Sequence, residues 1–441
     1  MKILQIIHGY PMRYNAGSEV YTQTLVHGLV KAGHDVAVFT REENPFENDY
    51  IMHIEYDEVI LSENKKFPVP LYIVNVARQK DRYISEGVDD RLKEVISNFK
   101  PDIAHIGHLN HLSIRIIDVL YDFNIPIVFT LHDFWLVCPR GQFLQFNYGK
   151  NNPWELCDGQ DDKKCASHCY SRFYTGIPQE VNFDTEYWSN WVRLRREYLS
   201  TLVKKVDLFI APSQQLLTKM KDNLSLQEDK IIYLDYGFDL ERLSGRIRNI
   251  ENQFVFGYIG THIVAKGIHQ LIEAFSLLKT PATLRIWGRP RGETTPFLKR
   301  VIDNLKLPDH LKIDFRPEYC NNQIVTDVFN NCDVIVVPSI WDENSPLVIH
   351  EGLQARVPVI TANHGGMGEY VKDGINGLTF QHRNVQSISE KLQCAIDNKV
   401  KLVELGKRGY LLSDDGNVVS KEQQALDIIQ LYKKILKKRG I

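Results

Sequence analysis

No stretch of this 441-residue chain approaches the ~20 consecutive apolar residues that a membrane-spanning helix requires. Nor is there an excess of charge of one sign. Lysine and arginine number 53 against 55 aspartates and glutamates, for a net −2, which speaks against a nucleic-acid binder, whose domain is usually strongly basic. Short-period repeats and low-complexity tracts are absent. Cysteine is sparse, seven in all and an odd number, and no Cys-x2-Cys pair occurs. The opening MKILQIIHGYP has one lysine and too short an apolar centre for a signal peptide. It reads as a first strand and points to a cytoplasmic protein, in which a disulfide framework is not expected. That strand leads into HGYPMRYNAGSE, which lacks Gly-x-Gly-x-x-Gly and so disfavours a dehydrogenase.

What the chain has is regular alternation. Hydrophobic residues make up 43% and charged residues 24%, the balance of a soluble globular protein. Its length exceeds one ordinary core, so two domains are expected. KILQIIH (2–8) is an apolar run bounded by Gly9 and Pro11. In the following stretch Val20, Leu25, Leu29 and Val30 recur near helical spacing, and Gly33 reads as the stop. HDVAVFT (34–40), IAHI (103–106), PIVFTLHD (126–133) and LFIAPS (208–213) read as strands, with helices near 112–122 and 190–204. The pattern restarts at FVFGYIG (254–260) and continues through ATLRIWG (282–288), LKIDF (311–315), DVIVVPS (333–339) and PVITA (358–362). Helices are expected there at 268–279, 296–304 and 346–355.

Such repetition predicts an α/β protein of two doubly wound, Rossmann-like domains facing each other across a deep cleft. The boundaries read 1–245 and 250–418, with a polar join at 240–252, and a helix at 419–441 that packs back on the first domain. The segment 138–185 breaks the alternation. It is polar and carries Cys138, Cys157, Cys165 and Cys169, and loops of that length are usually functional or separately stabilised. Ligands of doubly wound sheets bind beyond the carboxyl ends of strands, so the chemistry is sought in the loops after strands.

One such loop reads IWDENSPLVIHEGLQARVPVI (340–360). Ser345 is a good N-cap, and Pro346 suits the first helical position, where its missing N–H costs nothing. The next amides, of Leu347 and Val348, have no intrahelical acceptor, and the helix dipole favours an anion there, so a diphosphate could dock. Glu343 precedes the helix, and Glu351 lies about one and a half turns inside it. A carboxylate that accepts two vicinal hydroxyls is a common ribose holder. The plain alternative is a capped helix with two surface glutamates. A second loop, GYIGTHIVAKG (257–267), puts Lys266 and Gly267 directly before a helix, where lysine can serve as a point charge for phosphate.

Glu343-x7-Glu351, SPLV (345–348), VPVI (357–360), AKG (265–267) and HGGMGEYVKDGINGL (364–378) together resemble the family-4 retaining glycosyltransferases of GT-B fold. The resemblance runs nearly end to end, through AGSE (16–19), PDIAHIGHLNHLS (101–113), TLHDFW (130–135), APSQ (211–214) and YGFD (236–239) in the family's order. It implies a glycosyltransferase that takes a UDP- or GDP-linked sugar and needs no metal for catalysis. Glu343 would contact the donor sugar near the reacting anomeric carbon, and Glu351 the ribose. Backbone amides around Ser345 to Val348, those of Ser345, Leu347 and Val348 flanking Pro346, and that of Gly17, would meet the diphosphate. Lys266 would pair with phosphate, and His132 would approach the sugar from the first domain. The family usually has an arginine in a Gly-Arg-Leu at the strand end before the lysine, and this chain reads Gly257-Tyr258-Ile259. The next strand-end loop, with Gly288, Arg289 and Arg291, offers a substitute cation.

No Asp-x-Asp stands at a strand end, consistent with a metal-free donor site. His105, His108 and His111 have no carboxylate at ligand spacing and are not expected to hold a metal; His108 is a candidate lining of the acceptor pocket. The acceptor would be a glycan, a lipid-linked glycan or a small-molecule hydroxyl. Cys138, Cys157, Cys165 and Cys169 could hold a structural zinc, with His168 able to replace one of them, or could be ordinary thiols. The helix near 190–204 carries Arg193, Arg195, Arg196, Lys204 and Lys205 among Trp188, Trp191 and Tyr198. It could touch an anionic membrane, placing the protein at the inner face, or be a solvated amphipathic helix. The competing functions are a GT-B phosphorylase or epimerase, and a non-catalytic binder of sugar nucleotides.

Overall fold

The computed structural model describes residues 1–11, 13–62, 65–77, 83–147, 153–170, 182–249 and 251–441; parts of the cysteine-bearing segment 138–185 therefore lie outside the described residues. The chain divides into two units, Met1–Gly237 with Val419–Ile441, and Phe238–Val418. Among the described residues no helix is long and apolar enough to cross a membrane.

The sheet of the first unit contains β1 (Lys2–Ile6), β2 (Asp35–Glu42), β3 (Met52–Ser62), β4 (Lys65–Asn75), β5 (Ile103–Ile106) and β6 (Ile127–Thr130). A small ribbon of β7 (Leu144–Phe146) and β8 (Trp154–Leu156) stands apart, and β9 (Leu208–Ala211) and β10 (Ile231–Tyr233) complete the sheet. Its order is β10-β9-β6-β5-β1-β2-β4-β3, parallel except where β3 meets β4. β5, β6 and β9 are buried along their whole length, as expected of parallel strands covered on both faces.

The hairpin β3–β4 has no counterpart in the sequence reading. Pro68 and Pro70 disguise β4, since proline cannot donate to a ladder. They are tolerated because pairing with β2 begins only at Leu71, so at the prolines β4 has β3 as its partner.

Among the polar side chains buried in the first sheet, one fastens the last helix to it. His105 on β5 bonds Tyr432 OH at 2.5 Å and Thr130 Oγ1 at 2.7 Å. Tyr432 belongs to the helix Lys421–Arg439, which is thereby fastened to this unit. Arg439 adds a two-pronged bond to Asp207 at 2.9 Å. Burial pushes the His105 pKa down to about 3. An unfolded histidine titrates near 6.5, so below that pH the unfolded chain takes up a proton that the folded chain refuses. Stability is therefore complete above about pH 6.5 and is lost toward about pH 3, at about 1.4 kcal/mol per pH unit for this residue. Urea unfolding should show a lower midpoint at about pH 5 than at about pH 7, and equal midpoints would refute the linkage.

The second unit holds β11 (Phe254–Ile259), β12 (Ala282–Trp287), β13 (Leu311–Arg316), β14 (Val334–Val337), β15 (Val359–Ala362) and β16 (Gly377–Phe380). They form one parallel sheet in the order β13-β12-β11-β14-β15-β16. The polar stretch 240–252, expected as the join, lies inside this unit, because the division falls between Gly237 and Phe238. Its arginines explain the difference: Arg246 donates to the carbonyls of Phe329 and Cys332, and Arg248 to Asp333. Residue 250 itself lies outside the described residues.

Candidate active site

The second sheet reverses direction of growth between β11 and β14, neighbours that are far apart in sequence. Doubly wound sheets bind ligands beyond the strand ends at such a point. The two loops leaving these strands touch. After β11 the chain turns at Gly260 and forms a tight helical turn, Val264–Lys266, that ends on Gly267 with φ 69°. A Cβ on Gly267 would stand 1.9 Å from the carbonyl oxygen of Pro338, in the loop after β14. The Ile340 amide donates to Ala265 O at 2.9 Å. This contact sets Lys266 Nζ 2.5 Å from Glu343 Oε1, which also accepts from Ser339 Oγ at 2.6 Å. Glu343 is buried, whereas the Lys266 side chain remains 30% exposed and lies over the Trp341 ring. The structure thus brings together two residues that the sequence placed in separate loops.

The helix carrying Glu351 runs from Leu347 to Gln354, and its cap differs from expectation. Pro346, extended at ψ 114°, is the capping residue, and no side chain bonds across the cap. Ser345 is buried one position ahead. Leu347 and Val348 are in the first turn, whose amides lack an intrahelical acceptor. Glu351 Oε1 accepts from Arg242 Nη2 at 2.6 Å, a partner from the unit's first residues that local spacing could not reveal.

Gly288 ends β12 with φ 137°, and a Cβ there would lie 2.0 Å from Gly260 O, so the two strand-end glycines pack backbone to backbone. Arg289, a candidate substitute cation, does not reach the Lys266–Glu343 pair in this structure. It is half exposed, and its guanidinium is bound to Glu318 at 2.9 Å rather than to the Lys266–Glu343 pair. The matching of Tyr258 to the family's arginine also needs correction. β11 extends through Ile259 and the turn glycine is Gly260, so Thr261 and His262 are the first loop side chains. Tyr258 is a buried strand residue with its phenol 3.3 Å from Thr261 O. Burial, and then the Glu343 carboxylate, push its pKa well above the ordinary value.

Three further residues gather here without having been singled out. His364 Nε2 is hydrogen-bonded to Asp342 Oδ1, and the ring stacks on His382 with centroids 4.0 Å apart. His382 Nε2 donates to Ser339 O at 3.0 Å, so the stack buttresses the loop that holds Glu343. Burial, then the neighbouring His364, lowers the His382 pKa to about 4. The segment beginning at His364 was legible as a landmark; Asp342 and His382 gave no sequence signal. His262 is buried, with Nδ1 bonded to Thr295 Oγ1 at 2.9 Å.

In the first unit the corresponding reversal lies between β1 and β5. His8 after β1, His108 after β5 and His132 after β6 cluster there. His8 meets His108 at 4.5 Å between ring centroids and Glu19 at 3.4 Å. The Asn110 amide donates to His108 Nδ1 at 3.0 Å, which leaves the proton on Nε2, 3.3 Å from Asp133. His132 Nδ1 bonds Tyr236 OH at 2.8 Å and its ring packs on Tyr21. Burial first, then His108, drives the His132 pKa well below the usual value, so the imidazole is neutral. Gly17, exposed, opens the helix Gly17–Lys31 behind Ala16. His105 has a structural role and does not share a site with His108.

The arginine-rich helix is Asn182–Leu202, and several cations on it and just after it are paired within the fold. Arg193 pairs with Glu197, Arg196 with Asp162 and Lys205 with Asp118. Arg195 is buried, donating to Trp135 O at 2.5 Å and stacking on the Trp135 ring. Trp188 and Trp191 pack on Tyr170. Cys138, Cys157, Cys165 and Cys169 line one small cavity, but among the described residues no group of three or more His, Cys, Asp or Glu is already arranged to hold a metal ion.

Residues 15–242 match the family described as Glycosyltransferase Family 4, and residues 241–411 the one described as Glycosyl transferases group 1. The capsular polysaccharide biosynthesis glycosyltransferase CapM of Staphylococcus aureus is 27% identical over 231 residues, 47% of this chain and 58% of CapM. The chain spans about half the length of the first curated relatives it matches. Sucrose-phosphate synthase from Thermosynechococcus elongatus superposes with a TM-score of 0.69 at 16% identity, over 99% of this chain and 100% of the synthase. Anabaena HepE in complex with UDP and glucose gives a TM-score of 0.67 at 17% identity, over 98% of this chain and 100% of HepE.

Proposed function

The chain belongs to glycosyltransferase family 4 and has the GT-B fold, and from that premise we propose that it moves a sugar from a UDP- or GDP-linked donor to a hydroxyl acceptor. In this reading the anomeric configuration is retained and no catalytic metal takes part. The observation that carries it is the Lys266–Glu343 pair at the meeting of the β11 and β14 loops, beside the first turn at Leu347. A diphosphate needs positive potential, and Lys266 together with the amides of Ser345, Leu347 and Val348 would supply it without a divalent ion. Glu343 would then face the sugar, and Glu351 the ribose, with Arg242 yielding or sharing its carboxylate. His132, neutral by burial, would serve as an uncharged hydrogen-bonding group on the first unit.

UDP and glucose bound to HepE support the donor class, and the capsular role in the name of CapM supports a glycan or lipid-linked glycan acceptor. A lipid-linked acceptor would bring the chain to the inner face of the membrane. A thermal-shift screen of nucleotide sugars should find one that raises the melting temperature, since a ligand bound by the native state alone stabilises it. Release of nucleoside diphosphate from that donor should then depend on added acceptor. Donor binding with no transfer would favour a non-catalytic binder, release without acceptor a hydrolase, and a product of inverted configuration would end the claim of retention.

A further inference from the structure

The segment after β6 is built from pieces too small to sustain themselves. β7 and β8 have three residues each, the helix Asp162–Cys165 is a single turn, and Ala166–Tyr170 forms a π-helical turn. An isolated two-stranded ribbon is marginal in water, and π turns are rare and concentrated at functional sites. Among the described residues one small apolar cluster lies beneath its later part: Cys165, Tyr170 and Val192, with Cys169, Trp188 and Trp191 against them. Substructures of this size usually need a staple.

Four thiols meet where such a staple would sit. Cys138 comes from the turn after β6, Cys157 follows β8, and Cys165 and Cys169 are one helical turn apart. They line a single cavity of about 10 Å³, close to the volume of one water-sized sphere. All four are free thiols, and neither a carboxylate nor an imidazole shares the lining. His168 is committed elsewhere, with Nδ1 bonded to Phe146 O at 3.0 Å. Two cations flank the cluster: Arg140 beside Cys169 and Lys164 beside Cys157, each favouring the thiolate of its neighbour. Burial opposes them and pushes the Cys169 thiol up to about 12. The Cys157 thiol donates to Gly159 O at 3.1 Å, so ligation requires it to rotate inward; among the described residues no group of three or more His, Cys, Asp or Glu stands at metal-binding geometry.

We propose that Cys138, Cys157, Cys165 and Cys169 are the ligands of a tetrahedral structural zinc ion that fastens this segment to the first unit. An all-thiolate donor set suits zinc, and a closed set of four protein ligands marks a structural site. On binding, four S–H protons leave, four Zn–S bonds form and nothing is oxidised. Four thiolates and Zn²⁺ sum to −2, and Arg140 and Lys164 offset that charge.

Elemental analysis of the purified full-length chain should give about one zinc per chain. Exchange for cobalt(II) should produce the thiolate-to-cobalt charge-transfer band, and a strong chelator should lower the melting temperature as the metal leaves. Cys165→Ser should lose the zinc, whereas Cys320→Ser, exposed in the second unit, should keep it. If Cys165→Ser does not fold, the zinc content and cobalt spectrum of the unmodified chain decide. Zinc well below one per chain, iron in its place, or thiols that react only after reduction and so were disulfides, would each overturn the proposal.

Discussion

Glu343→Gln is expected to lower acceptor-dependent transfer by about 10²–10³-fold, the usual cost of one electrostatic contact to the reacting centre, with the fold intact. Glutamine keeps an oxygen at the place of Oε1, so Lys266 Nζ and Ser339 Oγ, now at 2.5 and 2.6 Å, retain an acceptor. What it removes is the negative charge. A carboxylate acting on charge that develops at the sugar affects the transition state more than the bound ground state. kcat should therefore fall while donor affinity, read by thermal shift or calorimetry, changes little. Lys266→Ala should behave differently. It leaves the buried Glu343 carboxylate without its cation, which is strongly destabilising for a buried charge, and removes the proposed phosphate partner, so donor affinity and kcat should fall together. Turnover of Glu343→Gln at the unmodified rate would remove Glu343 from the reaction. A parallel loss of donor affinity and kcat would make it a clamp for Lys266 instead.

The contrast between these two residues shows what could be seen in the sequence and what could not. The fully buried parallel strands are visible because they are continuous apolar runs, and IAHI at 103–106 and LFIA at 208–211 coincide with β5 and β9. The loops after β11 and β14 were identified as donor loops on motif grounds. That they touch follows from strand order, which brings β11 beside β14, and strand order is a tertiary property. The same limit hid Arg242 on Glu351, 109 positions away, and Asp342 on His364. Errors of one to three positions had local causes. Ser345 was read as the cap because serine commonly is, but Pro346 takes that position with an extended ψ. Tyr258 was aligned through Gly257, whereas the glycine that turns the chain is Gly260. In the arginine-rich helix the composition suggests a basic face; Glu197 stands four residues after Arg193 on the same helix, and only the fold supplies Asp162 and Asp118 as partners.

Gly366→Ala is expected to destabilise the second unit by at least about 3 kcal/mol, lowering the melting temperature by roughly 6–12 °C. Gly366 does not need its freedom for a left-handed backbone, for its φ is not among the positive ones. Its requirement is space. A Cβ there would stand 1.3 Å from the carbonyl oxygen of Asn344 and 2.4 Å from the carbonyl carbon. The obstacle is backbone, which cannot swing aside as a side chain can. The Gly366 amide also donates to Glu343 O at 2.9 Å, so any retreat that relieves the clash drags the turn bearing Glu343 and disturbs its bond to Lys266. Activity per folded molecule should therefore fall as well. Gly374→Ala provides the comparison, because that glycine has φ 69° but nothing within 4 Å of an added Cβ. Only the left-handed conformation is penalised there, at about 1 kcal/mol, and transfer should be unaffected. Calorimetric melting with donor turnover on both variants separates the two causes. If Gly366→Ala melts with the unmodified chain, the Glu343 turn has slack that the close approach of Asn344 denies it, and the rigidity ascribed to the Lys266–Glu343 pair fails with it.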